Sequence, residues 1–192
     1  GFWPANTVGD DVEIYSDETR AEQLATFHFL RQQRQKKEGQ ICRSLSDNVA
    51  PKDSGRIDYF GGFALTMGQG VEDYAATFRD AGDDYTAIIV QSLGDRLAEA
   101  SAEYLHKTLR HQCGIGQDEG FAAETKLEEE QAKFLIKEKY RGIRPASGYP
   151  SCPDHSEKAM LWKLLEAEQR TGTTLTTSYA MKPPSSVSGF YL

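Results

Sequence analysis

The sequence predicts an α+β fold: a mixed, largely antiparallel sheet flanked by long helices. Short β-prone runs lie near both ends of the chain and around Tyr59 to Met67. A long helical pattern runs from Asp83 to about His111. The two kinds of segment interleave without the regular βαβ spacing that a parallel sheet requires.

The elements follow in order. Val12 and Ile14 alternate with Glu13 and Tyr15, so Val8 to Tyr15 reads as a short strand after a turn region rich in Pro, Asn and Gly. Ser16-Asp-Glu18 then opens a helix in which Ala21, Leu24, Phe27, His28 and Leu30 recur at helical spacing, with Lys36, Lys37 and Gly39 at its end. His28 reads as a packing residue at the edge of that face rather than a ligand. Leu45-Ser-Asp47 is a turn and Asp53-Ser-Gly55 a loop. Tyr59 to Met67 is aromatic and carries Gly61 and Gly62 where something must approach closely, which marks a central strand. A helix from Val71 to about Arg79 follows and breaks at Ala81-Gly82.

In the long helix Ile89, Leu93, Leu97, Ala100 and Tyr104 share one broad face, and Asp95 and Glu99 lie one turn apart on the opposite side. Ile88, Ser92, Ala102 and His106 accompany those acids. Two readings stand: a contact surface where a cation is held, or surface pairing with Arg96 or Lys107. Gln112 to Ala123 carries three glycines and reads as a loop. Glu124 to Tyr140 reads as a charged helix, with Glu128-Glu-Glu130 a solvated face. After Arg144 to Asp154, Asp154 and Glu157 form a capping box for a helix that buries Met160, Leu161, Leu164 and Leu165, with Trp162 near the edge and Thr171-Gly172 closing it. Leu175 to Met181 and Ser186 to Leu192 read as two strands joined at Lys182-Pro-Pro184.

A chain of 192 residues supports one substantial core, so a single domain over 1–192 is expected. Its 22 Lys+Arg against 29 Asp+Glu give a net charge of -7, which argues against a nucleic-acid surface. Cys42, Cys113 and Cys152 are widely spaced and odd in number, suiting neither a disulfide framework nor a thiolate metal site. No apolar run spans a bilayer and no signal segment opens the chain, so a soluble, cytoplasmic protein is expected. Apolar ends, Gly1-Phe-Trp3 and Gly189 to Leu192, suggest a piece of a longer polypeptide. Dinucleotide, P-loop and zinc-protease motifs are absent, and no Ser/His/Asp set is credible.

Arg144, Pro145, Gly148 and Pro150 fall within seven residues and make a stiff loop with open backbone. It is either a ligand loop or a rigid connector. Taken alone, the residues stop at an α+β domain with one candidate ligand loop.

The order of Arg144 to Tyr149, Cys152 to Lys158 and Ser188 to Tyr191 resembles the C-terminal activation domain of cobalamin-dependent methionine synthase. Phe2 to Asn6, Gly9 to Tyr15, Leu30 to Gln33, Asp83 to Tyr85 and Gly94 to Glu99 support it, and only Gln112 to Ala132 looks unfamiliar. The resemblance implies an activation-domain fold truncated at both ends relative to the family. It implies binding of S-adenosylmethionine in support of reductive methylation of cob(II)alamin to methylcobalamin in methionine biosynthesis. The chain would be part of a methyltransferase and not catalytic alone, with no catalytic nucleophile and no metal ligand of its own.

By the same resemblance, Arg144 would meet the donor's carboxylate, and backbone at Ala146 and Gly148 the rest of the molecule. Tyr191 would contact adenosine. Leu192 replaces an aromatic of the bacterial pattern and would contribute backbone only. Tyr149 would face the corrin, and Asp95 and Glu99 the surface where cobalamin and donor meet. A further acid of the family lies upstream of Gly1. The implied partners are the cobalamin-binding module of the same polypeptide and a flavodoxin or flavoprotein reductase. A non-catalytic docking module for a flavodoxin-type partner is the alternative. The site reading requires Arg144 and Tyr191 to lie close together.

Overall fold

The computed structural model describes residues 1–119 and 128–192. Backbone proximity divides them into two compact units. One comprises Gly1–Ala64, Arg144–Lys182 and Ser188–Leu192, and the other Leu65–Ile143 and Pro183–Val187. The architecture is the α+β arrangement that the sequence predicts.

The sheet contains β1 (Phe2–Val8), β2 (Asp11–Tyr15), β3 (Gln23–His28), β4 (Asp58–Thr66) and β7 (Ser186–Tyr191), in the order β3-β2-β1-β4-β7. β1 pairs antiparallel with both β2 and β4, and β2 with β3. β1 replaces the expected turn region. Its first half pairs with β4 alone, so Pro4 lies where one side of the strand has no ladder to supply.

The helix expected after Ser16 is β3. Its helical spacing is coincidental: Ala25, Phe27 and Phe29 alternate inward, whereas Leu24 and Leu30 are exposed. Pairing with β2 sets Ala25 beside Ile14 and Phe27 beside Val12, and burial of that row outweighs the local periodicity. Phe27, Phe29, Phe60 and Phe190, each no more than 1% exposed, form an aromatic cluster at the centre of this unit. Beside it Arg31 forks between Asp10 and Asp47 at 2.6 Å each, and that guanidinium holds the Asp47 carboxyl down at about 2.

α4 (Glu157–Leu165) packs on β3, with Leu161 buried and Met160, Leu164 and Leu165 against the core. It crosses so near β4 that a Cβ on Gly62 would stand 2.5 Å from Leu161 Cδ1, the close approach expected of that glycine. Trp162 is buried rather than at the edge, because its indole N–H donates to the Thr173 carbonyl at 2.8 Å. Glu166, at φ 52°, breaks the expected single helix into α4 and α5 (Ala167–Thr171), which Gly172 closes. The expected strand at Leu175 to Met181 is a tight hairpin of β5 (Thr174–Leu175) and β6 (Met181–Lys182), turned through Tyr179 at positive φ.

The expected capping box is also rearranged. Asp154 accepts from the Ser156 N–H at 2.8 Å, while Glu157 turns inward, 7% exposed, and accepts from the His28 backbone N–H.

In the second unit α1 (Val71–Asp80) and α2 (Asp84–Gln112) pack together, with Asp83 capping α2 by accepting from the Thr86 N–H. The face of α2 buried toward its N-terminal end is made of small residues, Ala87, Gly94, Ala98 and Ala102. The broad apolar face points outward: Ile89, Leu93, Leu97 and Tyr104 are each 42 to 58% exposed, and Ala100 is exposed with them. At the far end the fully buried Arg110 forks onto Glu119 at 2.7 and 3.1 Å and lies 3.5 Å over the Tyr140 ring. α3 (Glu129–Ile136) is shorter than the expected helix, and Glu138 at φ 50° lies beyond its end. Glu128 to Glu130 are exposed. Residues 120–127, which carry part of that helix and of the loop before it, lie outside the described residues. Among the described residues no helix is long and apolar enough to cross a membrane.

Burial pushes the Glu157 carboxyl above the ordinary glutamate value of 4.5, so the folded state holds its proton more tightly than the unfolded chain. The associated stability is complete below 4.5 and is lost as pH rises through the higher folded value. Glu157→Gln is therefore expected to raise the melting temperature at pH 7 more than at pH 4, as thermal unfolding at the two pH values measures.

Candidate functional site

The Arg144 loop is stitched to the last strand. Pro145 has no N–H to spend, but its carbonyl accepts from the Phe190 N–H at 2.8 Å on the edge of β7. Gly189 makes this approach possible. A Cβ there would stand 2.6 Å from the Pro145 oxygen and 3.0 Å from Phe63 Cε1. Arg144 and Ala146, both half-buried, flank Pro145, and Tyr191 follows Phe190. Arg144 and Tyr191 are thus each one residue away from a shared hydrogen bond.

Beyond Ala146 the chain makes a tight turn. Gly148 sits at φ 101° and donates to the Cys152 carbonyl at 2.7 Å, and the Cys152 N–H donates to the Tyr149 carbonyl at 2.9 Å. The turn holds Tyr149 outward, 64% exposed. Inside it, Ser147 Oγ lies 3.8 Å from Cys152 Sγ. Burial pushes the Cys152 thiol up, so it stays protonated and is no nucleophile.

On β7 successive side chains take opposite faces. Phe190 enters the aromatic cluster, and Tyr191, 7% exposed, stacks between Phe2 and Phe63 at centroid distances of 5.9 and 4.9 Å. Both neighbouring rings lie nearly parallel to that of Tyr191, at 17° and 25°. Leu192 packs half-buried against the core.

Asp95 and Glu99 belong to the second unit, and both are exposed. Asp95 accepts from Ser185 Oγ at 2.6 Å, a partner that neither reading of the sequence named. The Ser185 carbonyl in turn accepts from the Met67 N–H at 2.9 Å and from Thr66 Oγ1 at 3.3 Å. Asp95 is in this way tied to the turn from which β7 starts.

Sequence reasoning missed the parts played by Gly189 and Ser185. The signal for the first was a glycine inside a short β-prone run, which marks a close backbone approach as often as a weak strand. Ser185 carried no such signal. Among the described residues no group of three His, Cys, Asp or Glu side chains is placed to hold a metal ion.

A family described as vitamin B12 dependent methionine synthase, activation domain, matches residues 1–192. Among solved structures the chain is similar to one described as the crystal structure of the MetH reactivation domain bound to AdoHcy, with a TM-score of 0.87 and 49% identity. The match covers 100% of this chain and 56% of that one, so this chain spans little more than half of its length.

Gly189→Ala is expected to force the Pro145 carbonyl away from β7 and to destabilise the first unit by about 1–3 kcal/mol, the usual cost of overpacking. Denaturant unfolding measures it. A change within about 0.5 kcal/mol, the range of an ordinary surface substitution, would show that the seam between loop and strand is loose.

Proposed function

The chain belongs to the activation-domain family of vitamin B12-dependent methionine synthase, and from that premise we propose that the Arg144 loop and the end of β7 form its S-adenosylmethionine site. The observation that supports the reading is the bond from the Phe190 N–H to the Pro145 carbonyl, which draws the loop and the last strand together.

The donor set suits the ligand. S-adenosylmethionine presents a carboxylate, an ammonium and a sulfonium beside a flat nucleoside. Arg144 offers the planar fork that a carboxylate takes in two parallel hydrogen bonds. Ala146 and Gly148 offer backbone groups in a stiff segment, so little entropy is lost on binding. Tyr191, with Phe2 and Phe63 packed beside its ring, contributes the adenosine contact. Leu192 contributes backbone. The bound AdoHcy of the similar structure is what S-adenosylmethionine becomes once its methyl group has gone.

On this reading the donor supplies a methyl group on positively charged sulfur, for use on cobalamin carried by a neighbouring module of the same polypeptide. The residues of this chain bind and orient; none acts as a nucleophile. Tyr149, exposed at the tip of its turn in the first unit, faces that module's corrin, and in the second unit the exposed Glu99 and Asp95 are offered to the same module. The electron donor is a flavodoxin or flavoprotein reductase, and the setting is the cytoplasm.

Calorimetric titration tests the assignment. S-adenosylmethionine or S-adenosylhomocysteine is expected to bind the chain, and Arg144→Ala to lose at least about 1.5 kcal/mol, roughly tenfold in affinity. Equal affinities for the two proteins would remove Arg144 from the site.

A further inference from the structure

The turn at Gly148 is pressed from outside by a side chain with no part in the reading above. A Cβ built on Gly148 would stand 2.2 Å from His155 Cε1, 2.7 Å from Nε2 and 3.1 Å from Nδ1. The imidazole, itself exposed, therefore lies directly against the Gly148 backbone, where a Cβ would displace it and where φ 101° favours glycine. Lys158, the second residue of α4 and three on from His155, holds the ring. Its ammonium lies 3.1 Å from His155 Nδ1 and donates to the Tyr179 carbonyl at 3.2 Å. An ammonium can only donate, so Nδ1 is the acceptor and the ring carries its proton on Nε2. Lys158 is itself 7% exposed, and that burial depresses its pKa. A buried lysine is costly, and here the imidazole and the Tyr179 carbonyl accept hydrogen bonds from its ammonium.

We infer that His155, oriented by Lys158, is a positioning residue for the methyl-donor site: its ring sets the Ser147–Tyr149 turn so that the Gly148 and Ala146 backbone faces the ligand in one geometry. The inference rests on the proposed donor site. The physical logic is preorganisation. Gly148 at φ 101° has the freest backbone in the loop, and the ring removes that freedom before binding rather than during it.

The test uses the whole 192-residue chain and two readouts, amide hydrogen exchange at Gly148 and Cys152 and calorimetric affinity for S-adenosylhomocysteine. In His155→Ala, exchange at both amides is expected to quicken at least about tenfold while Val12 and Phe27 amides keep their protection, and affinity to fall about tenfold. Lys158→Met, which keeps the ring and removes its anchor, is expected to move both readouts the same way by about threefold. His155→Phe restores a flat ring against Gly148 and is expected to return Gly148 protection to within about threefold of the original, although it strips Lys158 of an acceptor. A merely structural role would make that variant worse. Unchanged exchange at Gly148 in His155→Ala overturns the inference, and so does faster exchange with unchanged affinity. If the unsubstituted chain binds no ligand, the donor-site reading has failed, and the exchange readout alone decides whether His155 sets the turn. If His155→Ala does not fold, Lys158→Met and His155→Phe carry the same two readouts.

Discussion

The edge of β7 is the constraint on which the rest depends. An edge strand leaves a row of backbone donors and acceptors to be satisfied. Here the Pro145 carbonyl takes the Phe190 N–H, while the Phe190 ring is buried among Phe27, Phe29 and Phe60. The loop is thereby indexed to the hydrophobic core: moving it means moving the backbone of a fully buried residue. Pro145 suits the position because it needs no acceptor of its own, and Gly189 because any larger residue would hold the carbonyl away.

The two units use different packing to hold their functional elements. In the first, the aromatic cluster anchors β7 within the sheet, and Leu161, Met160, Leu164 and Leu165 pack α4 on the same core. In the second, α2 approaches through Ala87, Gly94, Ala98 and Ala102, and small side chains permit the close fit that Gly94 makes with Ser185 and Val71. Asp95 stands beside that glycine and spends its carboxylate on Ser185, so an acid expected to serve a docking surface also secures the turn that begins β7. The outward apolar face of the same helix shows that helical periodicity locates a stripe without telling which stripe is covered.

Much of this was legible in the sequence where local signals agreed with the fold. α2 lies within a residue of its expected limits because a capping Asp83 and a long uninterrupted pattern define it. β4 was legible from its aromatic and glycine content. β3 was not, because Leu24, Phe27 and Leu30 mimic a helical stripe, and only pairing with β2 reveals that Ala25, Phe27 and Phe29 are the inward set. β1 was hidden by Pro4, which reads as a turn unless one knows that its half of the strand has a partner on one side only. In the site, loop stiffness was legible from Arg144 to Pro150. The nearness of Arg144 to Tyr191 is a tertiary fact that rested on resemblance, and the packing of Tyr191 beside Phe2 and Phe63 had no local signal.

The central claim is that loop and last strand together receive the methyl donor. Amide chemical-shift mapping of the 192-residue chain with S-adenosylhomocysteine addresses it most directly. The account expects the largest shifts at Ala146, Gly148, Phe190 and Tyr191, with Arg144 side-chain resonances moving in step. Shifts confined to the Asp47–Asp58 segment or to the outward face of α2, with the loop and β7 unmoved, would contradict it.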